Sequence, residues 1–254
     1  MRENETSIPK EDEIKIKEVA NELPKMPMVP TSHCKKPGVI FVFEKASLVP
    51  AFVDKKYQLL NSDDHANFLR RKKMDPYKYR PDIIFYVSEF ALKCFVSLLE
   101  IMDSTLYKTG RVEAIYVKTE EGELIKIEPN TRIPDLQGSF CSMMLELLQK
   151  FSIKAKGSRE TLLRLVKNPV SQYLPANYLK IGFSFSSNKV VDLDEYVGAV
   201  NDDVNLVFVV GAMAHGKIDC DYADDIISVA NFPLSAAICT QKICFAVENK
   251  WKLK

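Results

Sequence analysis

The residues best placed to do chemistry are Gly211-Ala-Met-Ala-His-Gly-Lys217, which directly follow the apolar run Leu206 to Val210 and match G-x-x-x-x-G-K, most of a phosphate-binding loop. Such a loop needs a Ser or Thr hydroxyl after its lysine to hold magnesium, and this chain has Ile218 there. Nor does a regularly periodic apolar helix follow to aim its N-terminal amides at a phosphate. Nucleotide hydrolysis is therefore not expected. What remains is a strand-end loop bracketed by Gly211 and Gly216. Two glycines so placed either make a tight turn or let backbone approach a ligand closely, and cofactor binding is the expectation. No G-x-G occurs in the chain, which disfavours a nicotinamide enzyme.

Three further constellations carry less. Asn231-Phe-Pro-Leu-Ser-Ala-Ala237 joins an expected strand to the last helix, and ordinary capping accounts for it. Asp63-Asp64-His65 resembles a fragment of a metal site, but a helix cap by Ser62 or Asp63 explains it at lower cost. In Arg80-Pro81-Asp82 the proline fixes the backbone, and the carboxylate two residues on either orients the guanidinium for a phosphate or base or makes a plain surface ion pair. The six cysteines include no C-x-x-C pair and the three histidines are scattered, so no metal is expected.

The elements that must position these residues read as alternating strand and helix. Residues 1–37 mix charges with Pro24, Pro27 and Pro30 and read as a disordered polar tail. Val39 to Phe43 reads as a buried strand, and Asn61 to Asp64 as the cap of a helix from His65 to Lys73. Val112 to Thr119 and Leu124 to Ile127 flank Glu121-Gly122 as a half-exposed hairpin, near 112–128, that reads as an insertion. Gly138 to Phe151 reads as a helix, and Ser158 as the cap of a basic helix running to Lys167, ended by Asn168-Pro169. Beyond that the pattern is α/β: strands at Lys180 to Ser186, Leu206 to Val210 and Ile226 to Val229, an acidic helix near Val191 to Val200, and a long final helix. Ligands of such sheets bind beyond the carboxyl ends of their strands, which points to the loops after Val210 and Val229.

Charge is segregated along a chain whose net charge is only +1. Arg70 to Arg80 and Lys150 to Lys167 are basic, whereas Asp202 to Asp225 carries six aspartates against Lys217, a stretch that a phosphate backbone should avoid. The longest apolar runs fall far short of the ~20 residues that span a bilayer. The polar start Met-Arg-Glu-Asn-Glu lacks the apolar core of a secretory signal, so the protein is expected in the reducing cytosol or nucleus with its cysteines as thiols.

Several blocks together resemble, in family order, the eukaryotic and archaeal ribosome-biogenesis methyltransferases that modify a pseudouridine of small-subunit rRNA at N1. These are Gly38-Val-Ile-Phe-Val with Glu44 and Ala46-Ser-Leu48, Tyr57-Gln-Leu-Leu-Asn-Ser-Asp-Asp-His65, Arg80-Pro-Asp-Ile83, Leu147-Leu-Gln-Lys150, Lys167-Asn-Pro169, Val207 through Lys217, and Pro233-Leu-Ser-Ala-Ala237. The resemblance covers Gly38 to the C-terminus. It implies a single α/β domain over 38–254 of the SPOUT class, with a trefoil knot, one of the few exceptions to the rule against knots, and homodimerisation.

It further implies S-adenosyl-L-methionine as cofactor, held by Phe183, Gly211, Gly216, Val229, Ala230, Asn231, Phe232, Pro233 and Leu234. Arg80 and Arg132 would contact rRNA, with Asp82 steadying Arg80. The implied chemistry is in-line transfer of a sulfonium methyl to a ring nitrogen of a base turned out of its stack, by positioning and with no strong general base. Nuclear and nucleolar location and pre-ribosomal assembly partners are implied too. The chain departs from the family at Asp135, Gln137 and Ser139, where the family is usually basic, and is longer between Asp82 and Asp103, including Ile84 to Lys93. Asp135 in particular should weaken RNA binding. A dimeric assembly factor without catalysis is the alternative that these departures raise.

Overall fold

The computed structural model of the chain describes residues 36–60, 65–76, 97–129, 131–213, 218 and 220–253. The expected tail, save its last two residues, the expected cap at Asn61 to Asp64 and the long segment from Ile84 to Lys93 all lie outside the described residues. The elements run β1 (Val39–Ala46), β2 (Pro50–Val53), β3 (Lys56–Leu59), α1 (Ala66–Arg71), α2 (Ser97–Asp103), α3 (Thr105–Lys108), β4 (Val112–Thr119), β5 (Leu124–Ile127), α4 (Gln137–Lys150), β6 (Ser152–Lys154) and β7 (Thr161–Val166). A 3-10 turn (Val170–Tyr173), β8 (Leu179–Phe183), α5 (Leu193–Gly198), β9 (Leu206–Gly211), β10 (Asp225–Ile227) and α6 (Ala236–Trp251) complete them.

β1 begins Val-Ile-Phe-Val-Phe, apolar at every position. Side chains of a strand alternate between faces, so such a run is satisfied only where both faces are covered. Val39, Phe41 and Phe43 enter one core and Ile40 and Val42 another. β9 divides in the same way, with Leu206, Phe208 and Val210 on one side and Val207 and Val209 on the other. The first core is roofed by helices: α2, α3 and α5 pack on α6. Glu248 of α6 accepts from the amides of Thr105 at 2.6 Å and Leu106 at 3.2 Å, satisfying the free N–H groups at the start of α3. The second core is closed by irregular chain, through Val170, Leu174, Tyr178 and Cys220.

These strands form an eight-stranded sheet in the order β10-β8-β9-β1-β4-β5-β7-β6. The first five are parallel; β5, β7 and β6 add on antiparallel. The chain leaves β1 to build one side and returns to build the other, and a crevice forms beside such a reversal. A mixed α/β fold with a mostly parallel sheet matches the sequence expectation.

Two expectations need correction. Ser158 to Lys167 is not a basic helix: β7 occupies Thr161–Val166, pairing with β5 on one side and β6 on the other. Ser158 instead makes a turn whose hydroxyl accepts from Glu160 N at 3.1 Å. The hairpin does form, Ile115 to Lys118 facing Ile127 to Leu124, but β4 is buried on both faces and pairs along β1 in the middle of the sheet. It is a core strand and not an inserted, half-exposed one.

Candidate functional site

A cavity of about 320 Å³ opens at the carboxyl ends of β8, β9 and β10. Phe183 and the residues up to Ser186 form one wall, Val210, Gly211, Met213 and Ile218 a second, and Ile227 to Ala230 a third. Phe232, Pro233 and Leu234 lead from there into α6, which contributes Ala236 and Cys239.

Local sequence explains this convergence. β10 is short and lies parallel to β8 with Ile227 opposite Phe183, and Ser184 N–H donates to the Ile227 carbonyl at 2.9 Å. Ser228 donates its hydroxyl hydrogen to the Ala230 carbonyl at 2.7 Å and so folds the chain inward after β10. Ser235 then caps α6, its Oγ accepting from Ile238 N. Gly211 ends β9 where space is least: a Cβ there would lie 2.8 Å from Met213 Sδ and 2.9 Å from Ile218 Cγ2. The missing Cβ lets the Met213 and Ile218 side chains close on the end of β9, where all three residues line the cavity.

Of the residues that the sequence singles out for a cofactor, Phe183, Gly211, Val229, Ala230, Phe232, Pro233 and Leu234 are brought to this one cavity. Asn231 is exposed and does not line it, and Gly216 lies outside the described residues. Ser184, Phe185, Ser186, Ser228 and Cys239 also line it and carry no motif of their own. Phe185 and Phe232 are 59% and 63% exposed, unusual for rings that border a cavity.

Among the described lining residues Cys239 has the one titratable side chain, and burial pushes its thiol up to about 11. It stays protonated at neutral pH and is no nucleophile there. The walls thus offer apolar surface, serine hydroxyls and backbone groups, a lining suited to binding and orientation.

Two polar networks brace the walls. Glu44, 1% exposed, stands opposite Gly211 in the β1–β9 register, and its carbonyl accepts from Ala212 N at 2.8 Å. Its carboxylate accepts from the Tyr222 hydroxyl at 2.7 Å and pairs with Lys118 Nζ at 3.1 Å. Burial first, and then the Glu44 carboxylate, raise the Tyr222 pKa far above the ordinary tyrosine range. In the second network Asp225 at the start of β10 accepts from Lys189 Nζ and, at 2.6 Å, from the Tyr196 hydroxyl. Burial acts to raise the Asp225 pKa, but those two hydrogen bonds outweigh it and hold the carboxyl below its usual range. The pairings carry no sequence signature, although Glu44 belongs to one of the family-like blocks, because Glu44 and Tyr222 lie 178 positions apart and Lys189 and Asp225 lie 36 apart.

Of the residues singled out for RNA, the described ones, Arg132, Asp135 and Ser139, do not line the cavity. Arg80 and Asp82 lie outside the described residues. Arg132 and Asp135 are exposed and Ser139 is half-buried, all around the entry to α4. That entry follows β5, which runs against β4 and ends with Ile127 opposite Ile115. Thr131 there accepts from the Tyr107 hydroxyl and donates its own to the Leu162 carbonyl at 2.8 Å. Arg132 is therefore at the amino ends of the parallel strands, the far side of the sheet from the cavity.

Comparison with known proteins agrees with this architecture. Residues 41–248 match the EMG1/NEP1 methyltransferase family. The chain is 40% identical over 220 residues to a mouse protein named ribosomal RNA small subunit methyltransferase NEP1, covering 87% of this chain and 84% of that one. It is 40% identical over 213 residues to the human protein of the same name, covering 84% and 82%. Among solved structures, Archaeoglobus fulgidus Nep1 bound to S-adenosylhomocysteine superposes with a TM-score of 0.59 at 18% identity, over 85% of this chain and 99% of that one.

Proposed function

The chain belongs to the EMG1/NEP1 methyltransferase family, and on that premise we propose that it transfers a methyl group from S-adenosylmethionine to N1 of a pseudouridine in small-subunit rRNA. The observation that carries this reading is the cavity at the ends of β8, β9 and β10, where seven residues expected at a cofactor site meet. Its lining fits such a cofactor: an apolar trough for a flat heterocycle, a strand end at Gly211 where a side chain would push Met213 and Ile218 into the cavity, and no charged side chain among the described lining residues to repel a sulfonium. When bound, the cofactor supplies an electrophilic methyl group. Everything else is positioning.

In this reading Val229, Ala230 and Leu234 hold the cofactor between β10 and α6, Gly211 admits it to the end of β9, and Phe183 forms the floor. Asn231 and Gly216 are assigned to the same loops by the family resemblance. The N1 proton of the base is weakly acidic and passes to water as the N–C bond forms and the C–S bond breaks; in this reading aligned, desolvated contact between the two reactants supplies the rate. Arg132 serves as an RNA contact, together with Arg80 oriented by Asp82, while Asp135 and Ser139 soften that grip.

A homodimer fits the separation of Arg132 from the cavity. One protomer presents them at opposite ends of its strands, so a second copy that brings its own Arg132 to this mouth would complete the site. The trefoil knot, an N-terminal tail over 1–37 outside a single domain over 38–254, nucleolar residence and contact with pre-ribosomal assembly factors belong to the same proposal.

The test is methyl transfer from labelled S-adenosylmethionine to a small-subunit rRNA hairpin containing pseudouridine, with the uridine hairpin as control. Transfer that depends on pseudouridine is expected. A protein that binds the cofactor and dimerises yet methylates neither hairpin would be the non-catalytic assembly factor instead.

A further inference from the structure

The basic stretch Lys150 to Lys167 is not absorbed by the cavity, and the fold arranges it in a specific way. β5, β7 and β6 have one face covered by α4, where Ile125, Ile127, Leu147, Ile153 and Leu163 share the core. The other face carries Lys126 opposite Arg164, and Arg164 opposite Ser152, in one row across three strands. Lys154 follows two residues beyond Ser152 on that same face of β6. Lys156 and Arg159, both exposed, continue it in the β6–β7 turn. In the other direction the row ends against Tyr116 of β4, which is buried with Leu124 in the second core; Lys118, two residues farther along β4, is taken up by Glu44 beside Gly211.

Lysines on an edge strand ordinarily discourage edge-to-edge pairing. That accounts for Lys154 on β6 but not for Lys126 and Arg164, which stand on interior strands. Those two share one carboxylate, Glu128 Oε1, at 2.9 and 3.2 Å, which leaves the pair with an excess positive charge. Lys154, Lys156 and Arg159 have no acidic partner among the described residues. At the opposite end of the same sheet, β10 and its approach carry Asp221, Asp224 and Asp225. Two of those aspartates are paired, Asp224 with Lys180 and Asp225 with Lys189, so the excess charge of the sheet lies at its basic end, and the β6–β7 turn lies at the strand ends where Arg132 also sits.

We propose that the open part of this face of β5, β7 and β6, from Lys126 at its inner margin through Arg164 to Lys154 and on to Lys156 and Arg159 in the turn, is a second binding surface for the phosphate backbone of the rRNA that flanks the target nucleotide. This rests on the rRNA reading above. Successive strands are about 4.8 Å apart, so the three strands β5, β7 and β6 offer a track of roughly 10 Å, the span of about two phosphates. The contacts are to backbone, so they add affinity and orientation without reading sequence.

The experiment compares the full chain with Lys154→Glu/Lys156→Glu and with Lys55→Glu/Lys56→Glu, an equal charge change on the exposed turn between β2 and β3. Anisotropy titrations use a short pseudouridine hairpin and the same hairpin with an extended flanking stem, over a salt series; calorimetry follows S-adenosylmethionine. For the β6 variant we expect roughly tenfold weaker binding of the long RNA, a log–log salt slope shallower by about 1 to 2, and unchanged cofactor affinity. The short hairpin and the Lys55/Lys56 variant should change far less. Equal losses in both variants, or none in either, would overturn the proposal, as would equally strong competition by polyglutamate. If the wild type methylates neither RNA but the slope difference persists, the enzymatic reading fails and the surface stands. Methylation with no slope difference gives the reverse.

Discussion

Tyr222 donates its hydroxyl hydrogen to Glu44 across 178 positions of sequence, joining the chain that closes one face of the sheet to the strand at its centre. The same carboxylate pairs with Lys118, so three separate elements depend on one buried charge. Tyr222→Phe should cost about 2 kcal/mol, because it removes a hydrogen bond to a buried charged group. A fall in melting temperature with weakened cofactor affinity would tie the network to the cavity wall at Ile218. An unchanged melting temperature would mean that Lys118 alone satisfies Glu44. Since the Tyr222 pKa is raised on folding, its contribution is present below the ordinary value of 10 and is lost as pH climbs above it. Wild type should therefore lose stability through the alkaline range more steeply than the phenylalanine variant.

Gly211→Val should abolish S-adenosylmethionine binding. Its branched side chain begins at a Cβ already 2.8 Å from Met213 Sδ, so it must displace that wall or occupy the cavity. Titration calorimetry reads the result directly, and full affinity would show that the cofactor lies elsewhere.

Asp225 links the cavity to acid stability. Its carboxyl is held below its usual range, so the stabilisation exists above the unfolded value of 3.8 and is lost as pH falls through the lower folded value. Asp225→Asn should be less stable than wild type at neutral pH and should show a flatter fall as pH drops below the ordinary value of 3.8. Parallel curves for the two proteins would assign the acid transition to other groups.

Cys239 should be inert. With its thiol pushed up to about 11, on the order of one thousandth is thiolate at pH 8. Mass spectrometry after brief iodoacetamide treatment at that pH should find Cys239 unmodified, and Cys239→Ser should keep most methyl transfer. Rapid alkylation that S-adenosylmethionine blocks would contradict the assigned burial.

Asp135→Arg exchanges a repulsion for an attraction near Arg132. Binding of the pseudouridine hairpin should tighten several-fold at low salt, with a steeper salt slope. No gain would place that surface away from the RNA.

Much of this architecture is legible in the residues themselves. Val39 to Phe43 and Leu206 to Val210 are apolar without interruption, which requires strands covered on both faces, and the glycine at 211 marks where the second one ends. The rule that sheets of this kind bind ligands beyond their strand ends points to the loops after Val210 and Val229, and the family resemblance names the seven residues that meet at the cavity. Thr161 to Val166 was beyond such reading: Thr-Leu-Leu-Arg-Leu-Val suits a helix as well as a strand, and pairing with β5 and β6 decides it. The bracing of the cavity is illegible for a different reason. Glu44 and Tyr222 look like ordinary polar residues until the sheet brings them within 2.7 Å.

The concentration of basic side chains in and beside the β6–β7 turn, unpaired among the described residues, sets how the molecule meets a polyanion. A net charge of +1 gives almost no monopole, so distant nucleic acid attracts it only weakly. Attraction therefore begins only when a phosphate comes near Lys154, Lys156 and Arg159, and salt that shortens the Debye length shortens that distance.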